Sequence, residues 1–238
     1  MPQILLINPN TSARTTQQMV QLLQAQLPLT WKVHGVTASV GTPLITNAPQ
    51  LAEAAQQVPA CWQVARAWAP WHGVVLACFA DPALDWLRRT TGVPTIGIGE
   101  AAMRAASHNG QRFGIATTTP DLDSAMRAQA QQLGIAHLYT GARYSAGPAL
   151  ALLEQPQVLQ QQLHTAVQQC VADGAQQVVI GGGPLGQAAL ALASQVPIPL
   201  IAPLSAAAHW LQTTLTPHAA SQVEPLGLSP SIPPLAAP

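Results

Sequence analysis

Charge is what this sequence has least of. Asp, Glu, Lys and Arg make up 8% of it, against about 25% in an ordinary soluble domain. Nine basic residues balance nine acidic ones, and no Lys/Arg stripe disturbs that balance. This argues against a nucleic-acid partner and against a basic amphipathic helix lying on a membrane. Cysteine is scarce as well. Cys61, Cys78 and Cys170 have no metal-ligand spacing and make no disulfide framework, so a reducing cytoplasm is the expected setting. The seven histidines show no H-x-x-x-H or H-E-x-x-H spacing, and no metal site is expected. No apolar run approaches the roughly 18 residues of a membrane span. The run Ile4–Ile7 has no basic segment before it and predicts a strand rather than a signal peptide. A G-x-x-x-x-G-K-S/T phosphate loop and a G-x-S-x-G nucleophile elbow are both missing.

What the sequence does have is apolar residues, 48% of its 238 positions, enough to bury the core of one large α/β domain or of two lobes. Short apolar runs alternate with longer amphipathic ones, the pattern of a βαβα chain with a mainly parallel sheet. Strands are predicted at Ile4–Ile7, Lys32–Val36, Val74–Ala77 and Pro94–Gly97. Thr11 or Ser12 caps a first helix reaching Gln26. Further helices are expected at Gln50–Trp68, from Asp81-Pro82 to Gly92, and at Glu100–Ser107. The second half reads as strands Phe113–Ala116, Gln177–Ile180 and Ile198–Ile201, with helices Leu122–Leu133, Pro148–Ala172 and Leu204–Leu215. From Thr216 onward six prolines in 23 residues predict an irregular tail.

The second half repeats the first. VVLAC (Val74–Cys78) matches VVIGG (Val178–Gly182) at an offset of 104, and VPTIGIGEAA (Val93–Ala102) matches IPLIAPLSAA (Ile198–Ala207) at 105. ILLIN (Ile4–Asn8) matches the segment around Gly114–Thr117 at about 109. The expected fold is therefore α/β, two pseudo-symmetric lobes each with a mainly parallel sheet flanked by helices. Residues 1–108 with about 203–220 form the first lobe, 109–202 the second and 221–238 a proline-rich tail. Ligands of open α/β sheets sit beyond the C-terminal strand ends, so the loops after Ile7, Ala77, Ala116 and Gly181 should line one cleft between the lobes.

Cys78 is the sharpest residue in those loops. It ends a buried strand just before an expected helix N-terminus, where backbone N–H groups would favour a thiolate. Cys61 and Cys170 lie inside long helices and read as core. Asn8, Pro9 and Asn10 open the first helix and offer amides to a carboxylate or carbonyl oxygen. Thr117 and Thr118 hold the matching place in the second lobe. Gly182, Gly183 and Pro184 follow the strand that matches the one before Cys78, and glycine there lets backbone amides approach a ligand. Thr42 and Pro43, from the loop Ser39–Pro49, and Phe79 and Ala80, beside the thiol, complete the candidate lining. Gly97–Ala102 fits G-x-G-x-x-A, but it lies late in its lobe after a very short strand, so it is not read as a dinucleotide site.

INPNTS (Ile7–Ser12), LACFADPAL (Leu76–Leu84), VPTIGIGEAA and IATTT (Ile115–Thr119) together resemble the Asp/Glu/hydantoin racemase superfamily, in its hydantoin or allantoin racemase branch, over the chain up to about Leu215. The resemblance implies an interlobe site that needs no cofactor, and a small-molecule substrate that is a carboxylate, amino acid or hydantoin. Homo-oligomers would fit it. It also implies two cysteines facing each other across the substrate α-carbon, one taking its proton and the other returning one. Cys78 matches the first. The second belongs in a G-C-x-G-type turn, where this sequence has Gly182, and Pro184 stands where glutamate racemases carry a histidine. The sibling arylmalonate decarboxylases work with one cysteine, at the position lost here. Three activities are thus open: a racemase-type isomerase, a single-cysteine decarboxylase, and a small-acid binding protein without turnover.

Overall fold

A computed structural model describes residues 1–216; the proline-rich tail at 221–238 lies outside the described residues. The elements run β1 (Gln3–Asn8), α1 (Ala13–Gln26), β2 (Lys32–Thr37), α2 (Ala48–Ala65), β3 (Gly73–Leu76), α3 (Leu84–Thr91), β4 (Thr95–Gly97) and α4 (Ile98–Ala106) in the first half. In the second they run β5 (Phe113–Thr117), α5 (Asp123–Gln132), β6 (Tyr139–Tyr144), α6 (Ala149–Leu153), α7 (Pro156–Ala172), β7 (Gln177–Gly181), α8 (Gly186–Leu192), β8 (Leu200–Ile201) and α9 (Pro203–Leu215).

Two four-stranded sheets form, ordered β2-β1-β3-β4 and β6-β5-β7-β8, and every pairing is parallel. The register carries the internal repeat. Ile7 pairs with Leu76 in the first sheet, and Ala116 with Ile180 in the second. These are the partners that offsets of 109 and 104 require, so Cys78 and Gly182 stand at equivalent points. Ile4–Ile7 and Val74–Leu76 are wholly buried, because helices cover both faces of a parallel sheet.

Helix starts follow local chemistry. Ser12 caps α1 by accepting from the N–H of Thr15, and Asn47 caps α2 by accepting from Gln50. Met19 and Leu23, one turn apart, turn inward from α1. Helix α4 lies between the sheets: Ile98 and Ala101 join the first lobe's core, and Ala102, Met103 and Ala106 that of the second. From the end of the chain, Leu204, Ala207 and Leu211 of α9 return to the first core.

Four elements differ from the sequence reading. Asp81-Pro82 does not open a helix: Asp81 (φ 47) and Ala83 (φ 57) are left-handed, and α3 starts at Leu84. The single helix expected over Pro148–Ala172 is two, because Pro156, lacking an N–H, starts a new helix rather than continuing α6. Strand β6 was not expected, since at the sheet edge only Ala142 of its six residues is buried and no apolar run marks it. Nor was α8, a seven-residue helix after the glycine turn.

Candidate active site

The loops after β1, β3, β5 and β7 meet between the lobes around a cavity of about 60 Å³, room for a few waters at roughly 10–15 Å³ each. Of the expected residues, Asn10, Cys78, Phe79, Ala80, Thr118, Gly182, Gly183 and Pro184 line it. Asn8, Pro9, Thr42, Pro43 and Thr117 do not. Pro43 faces a second interlobe groove of about 470 Å³, which shares Leu153 and Pro184 with the cavity.

The excluded residues build the walls. Asn8 is fully buried; its Nδ2 donates to Asn10 Oδ1 at 2.8 Å and Thr16 Oγ1 at 2.9 Å, while its Oδ1 accepts from the Asn10 N–H at 3.2 Å. Full burial keeps its side chain from a substrate. Asn10 Oδ1 is filled by Asn8 and by the Ser12 N–H, whereas its Nδ2 has no protein acceptor among the described residues. Thr117, at the point equivalent to Asn8, donates its hydroxyl to the Gly181 carbonyl at 2.5 Å and so ties β5 to the glycine turn. Thr42 accepts at its carbonyl from the Thr11 N–H at 3.0 Å and thereby brings Leu44 and Ile45 to the cavity.

Thr119, from the Thr117–Thr119 loop expected to face the ligand, also lines the cavity, as do Leu44, Ile45, Leu122, Met126, Leu153 and Leu185, which the sequence reading does not single out. An apolar Leu44-Ile45 pair within a polar loop is the one signal that could have flagged them. The lining carries no charged side chain, and its polar side chains are Asn10, Cys78, Thr118 and Thr119. The backbone N–H groups of Thr118, Thr119, Gly182 and Gly183 donate to no protein acceptor among the described residues.

Cys78 is half-buried and packs beside the Ile45–Leu122 cluster. Burial pushes its thiol up to about 12; the Ala80 N–H opposes this and the Asp81 carboxylate adds to it. The expected stabilisation of a thiolate is therefore corrected: the surroundings of Cys78 favour the protonated thiol. The main physical reason is desolvation, and the N-terminus of α3, six residues beyond Cys78, does not offset it. Cys61 and Cys170 are buried, and burial pushes their thiols to about 11 and about 12.

Gly182 occupies φ +147, and a β-carbon there would meet Leu185 at 3.1 Å. Its turn presses on the opposite one: a β-carbon at Gly181 would lie 3.1 Å from the Phe79 ring. Among the described residues no cluster of His, Cys, Asp and Glu could hold a metal, and no helix is long and apolar enough to cross a membrane.

Two like α/β lobes bring a thiol and a glycine turn to one small cavity between matched halves. Comparison with known proteins narrows the class. The model of the Asp/Glu/Hydantoin racemase family matches residues 4–211. A hydantoin racemase of Rhizobium meliloti is 30% identical over 214 residues, covering 88% of this chain and 87% of that protein. An allantoin racemase from Klebsiella pneumoniae is 28% identical with a TM-score of 0.84, covering 90% of this chain and 88% of that one. Arylmalonate decarboxylase, 16% identical with a TM-score of 0.58 over 92% of this chain and 94% of that one, shares the fold. The chain belongs to the Asp/Glu/hydantoin racemase family.

Proposed function

We propose that this chain is a racemase-type isomerase that moves a proton, without a cofactor, at a carbon α to a carbonyl or carboxylate, with Cys78 as the acid–base group. The observation that carries this is the position of Cys78: it opens into the interlobe cavity among unpaired backbone N–H groups, opposite a turn that offers no second thiol. An α-proton is weakly acidic, so its removal needs an adjacent base and preorganised donors for the enolate oxygen. The N–H groups of Thr118, Gly182 and Gly183, with Asn10 Nδ2, supply the donors. Cys78 first gives its proton to water, and the thiolate so formed takes the α-proton as the Cα–H bond breaks, the electron pair moving onto the carbonyl oxygen. Water returns a proton to the far face, since no acidic side chain lines that wall, and the hydroxide left behind takes the proton from the Cys78 thiol, which restores the thiolate. An apolar lining without counter-charge favours neutral rings such as hydantoins over dicarboxylic amino acids.

A second reading is favoured by two observations, the burial of Cys78, which raises its thiol, and Gly182. An acid without a facing base suits a decarboxylase: CO₂ leaves a malonate-like acid, and the Cys78 thiol protonates one face of the enediolate. The deciding experiment offers 5-substituted hydantoins, amino acids and arylmalonates in D₂O. Isomerisation with α-deuterium supports the first reading, and CO₂ release with one labelled enantiomer supports the second. Binding without either would leave a small-acid binding protein.

A further inference from the structure

The N-terminus of α4 is where the Gly97–Ala102 motif would place a bound phosphate. A side chain of the protein fills that place. Asp81, 9% exposed, accepts at Oδ1 from the Gly99 N–H at 3.1 Å and at Oδ2 from the Glu100 N–H at 2.6 Å. A third donor comes from the second half of the chain: Gln129 on α5, also buried, gives its Nε2 to Asp81 Oδ2 at 2.6 Å. Glycine is needed for this approach. A β-carbon on Gly97 would overlap the Asp81 carboxyl, and one on Gly99 would overlap the Phe79 carbonyl and crowd both amide atoms of Gln129. Cys78 is one turn away, its carbonyl accepting from the Asp81 N–H at 2.9 Å. The left-handed φ of 47 at Asp81 is a conformation that persists in a non-glycine residue when its surroundings over-determine it.

We propose that Asp81 and Gln129 are positioning residues for Cys78: the Gln129 amide latches α5 of the second lobe to the turn that carries the thiol, and this bond sets where the sulfur stands across the cavity. The inference rests on the proposed role of Cys78. The neighbours of Cys78 in its apolar cluster, Ile45, Leu51, Ala54 and Leu122, make contacts with little directional preference. Three hydrogen bonds on one carboxylate supply direction, and a displacement of about 1 Å at a reacting group can lower a rate 10²-fold. The charged groups around Asp81 are few. Glu100 on α4 is paired with Arg88 of α3 at 2.6 Å and with Arg104 at 2.8 Å. From α5 comes the neutral amide, while Asp123 and Arg127 of that helix pair with each other at 2.6 Å. Once Asp81 is ionised, its charge opposes ionisation of Cys78.

The test uses the full chain with Gln129→Met, which keeps length and removes the donor, and Asp81→Asn, which keeps shape and removes the charge. Two readouts are taken: kcat and KM on whichever substrate the wild type turns over, and the pH dependence of iodoacetamide labelling of Cys78, followed by peptide mass. For Gln129→Met the expected result is a kcat lowered about tenfold, with KM within about twofold and cooperative melting retained. For Asp81→Asn the Cys78 labelling midpoint should move to lower pH. A Gln129→Met enzyme with wild-type kcat, or one whose kcat falls only in step with its folded fraction, would overturn the latch. So would an unmoved labelling midpoint in folded Asp81→Asn. If Cys78→Ser keeps full activity, the reading of Cys78 fails instead, and the labelling result still decides whether Asp81 acts on the thiol.

Discussion

Gly182→Cys puts a thiol on the wall facing Cys78, and the structure sets both its cost and its benefit. The position has φ +147, a region that costs a non-glycine residue about 1–3 kcal/mol. The new β-carbon would stand 3.1 and 3.2 Å from two carbons of Leu185, a side chain only 1% exposed, which must shift by a few tenths of an ångström. At about 2–4 °C per kcal/mol for a chain of this size, melting should fall by roughly 2–12 °C. Against that, a positioned general acid contributes typically 10²–10⁴ in rate. Even an imperfectly aimed thiol should beat bulk water, so hydantoin racemisation should rise at least about tenfold. The assay follows optical rotation and α-deuterium incorporation in D₂O, with calorimetry on the same sample. A two-state, folded variant with wild-type rate and wild-type deuterium stereochemistry would refute the equivalence of positions 78 and 182. If the enzyme is a decarboxylase, the same variant should lose product enantiomeric excess, because protons then arrive from both faces.

Other outcomes follow from single groups. Cys78→Ser should lower turnover at least about 100-fold, the low end of general acid–base contributions, with little change in melting; activity above a tenth of wild type would remove Cys78 from the chemistry. Asp81 is pushed up to about 8 by burial, against the N–H groups of Glu100 and Gly99 and the Gln129 amide. A folded pKa above the unfolded one adds stability that is full below about pH 4 and lost as pH rises to about 8. Melting temperature should therefore decline across that window in the wild type and decline less in Asp81→Asn; parallel profiles would contradict this. Thr117→Val removes the 2.5 Å bond to the Gly181 carbonyl and should cost about 0.5–1.5 kcal/mol, read by urea unfolding, with a larger proportional loss of activity than of stability. In the native wild type, iodoacetamide should label Cys78 far more slowly at pH 8 than a free thiol of pKa about 8.5; labelling as fast as free cysteine would show that the thiol is not desolvated.

The local signals in this sequence were sufficient for much of the frame. Short β-branched apolar runs such as Val74–Leu76 suit buried strands, and Ser12 has the right chemistry for a helix cap. The matched offsets of VVLAC and VVIGG required two like sheets and put Cys78 opposite Gly182 before any pairing was known. The edge strand β6 and the break at Pro156 escaped because edge strands need no apolar run and because a proline at a first helical turn looks the same whether it starts a helix or sits after a cap. The upward push on the Cys78 thiol comes from tertiary structure. Sequence position suggested a helix N-terminus, but the Asp81 side chain goes instead to α4, α3 starts later, and Ile45 and Leu122 arrive from distant segments to desolvate the sulfur. The hydrogen bonding of Asn8 and Thr117 likewise depends on partners such as Thr16 and Gly181 that only the folded chain brings near. A sequence displays periodicity and local chemistry because these act between near neighbours; desolvation and hydrogen-bond saturation are sums over groups that only the folded chain brings together.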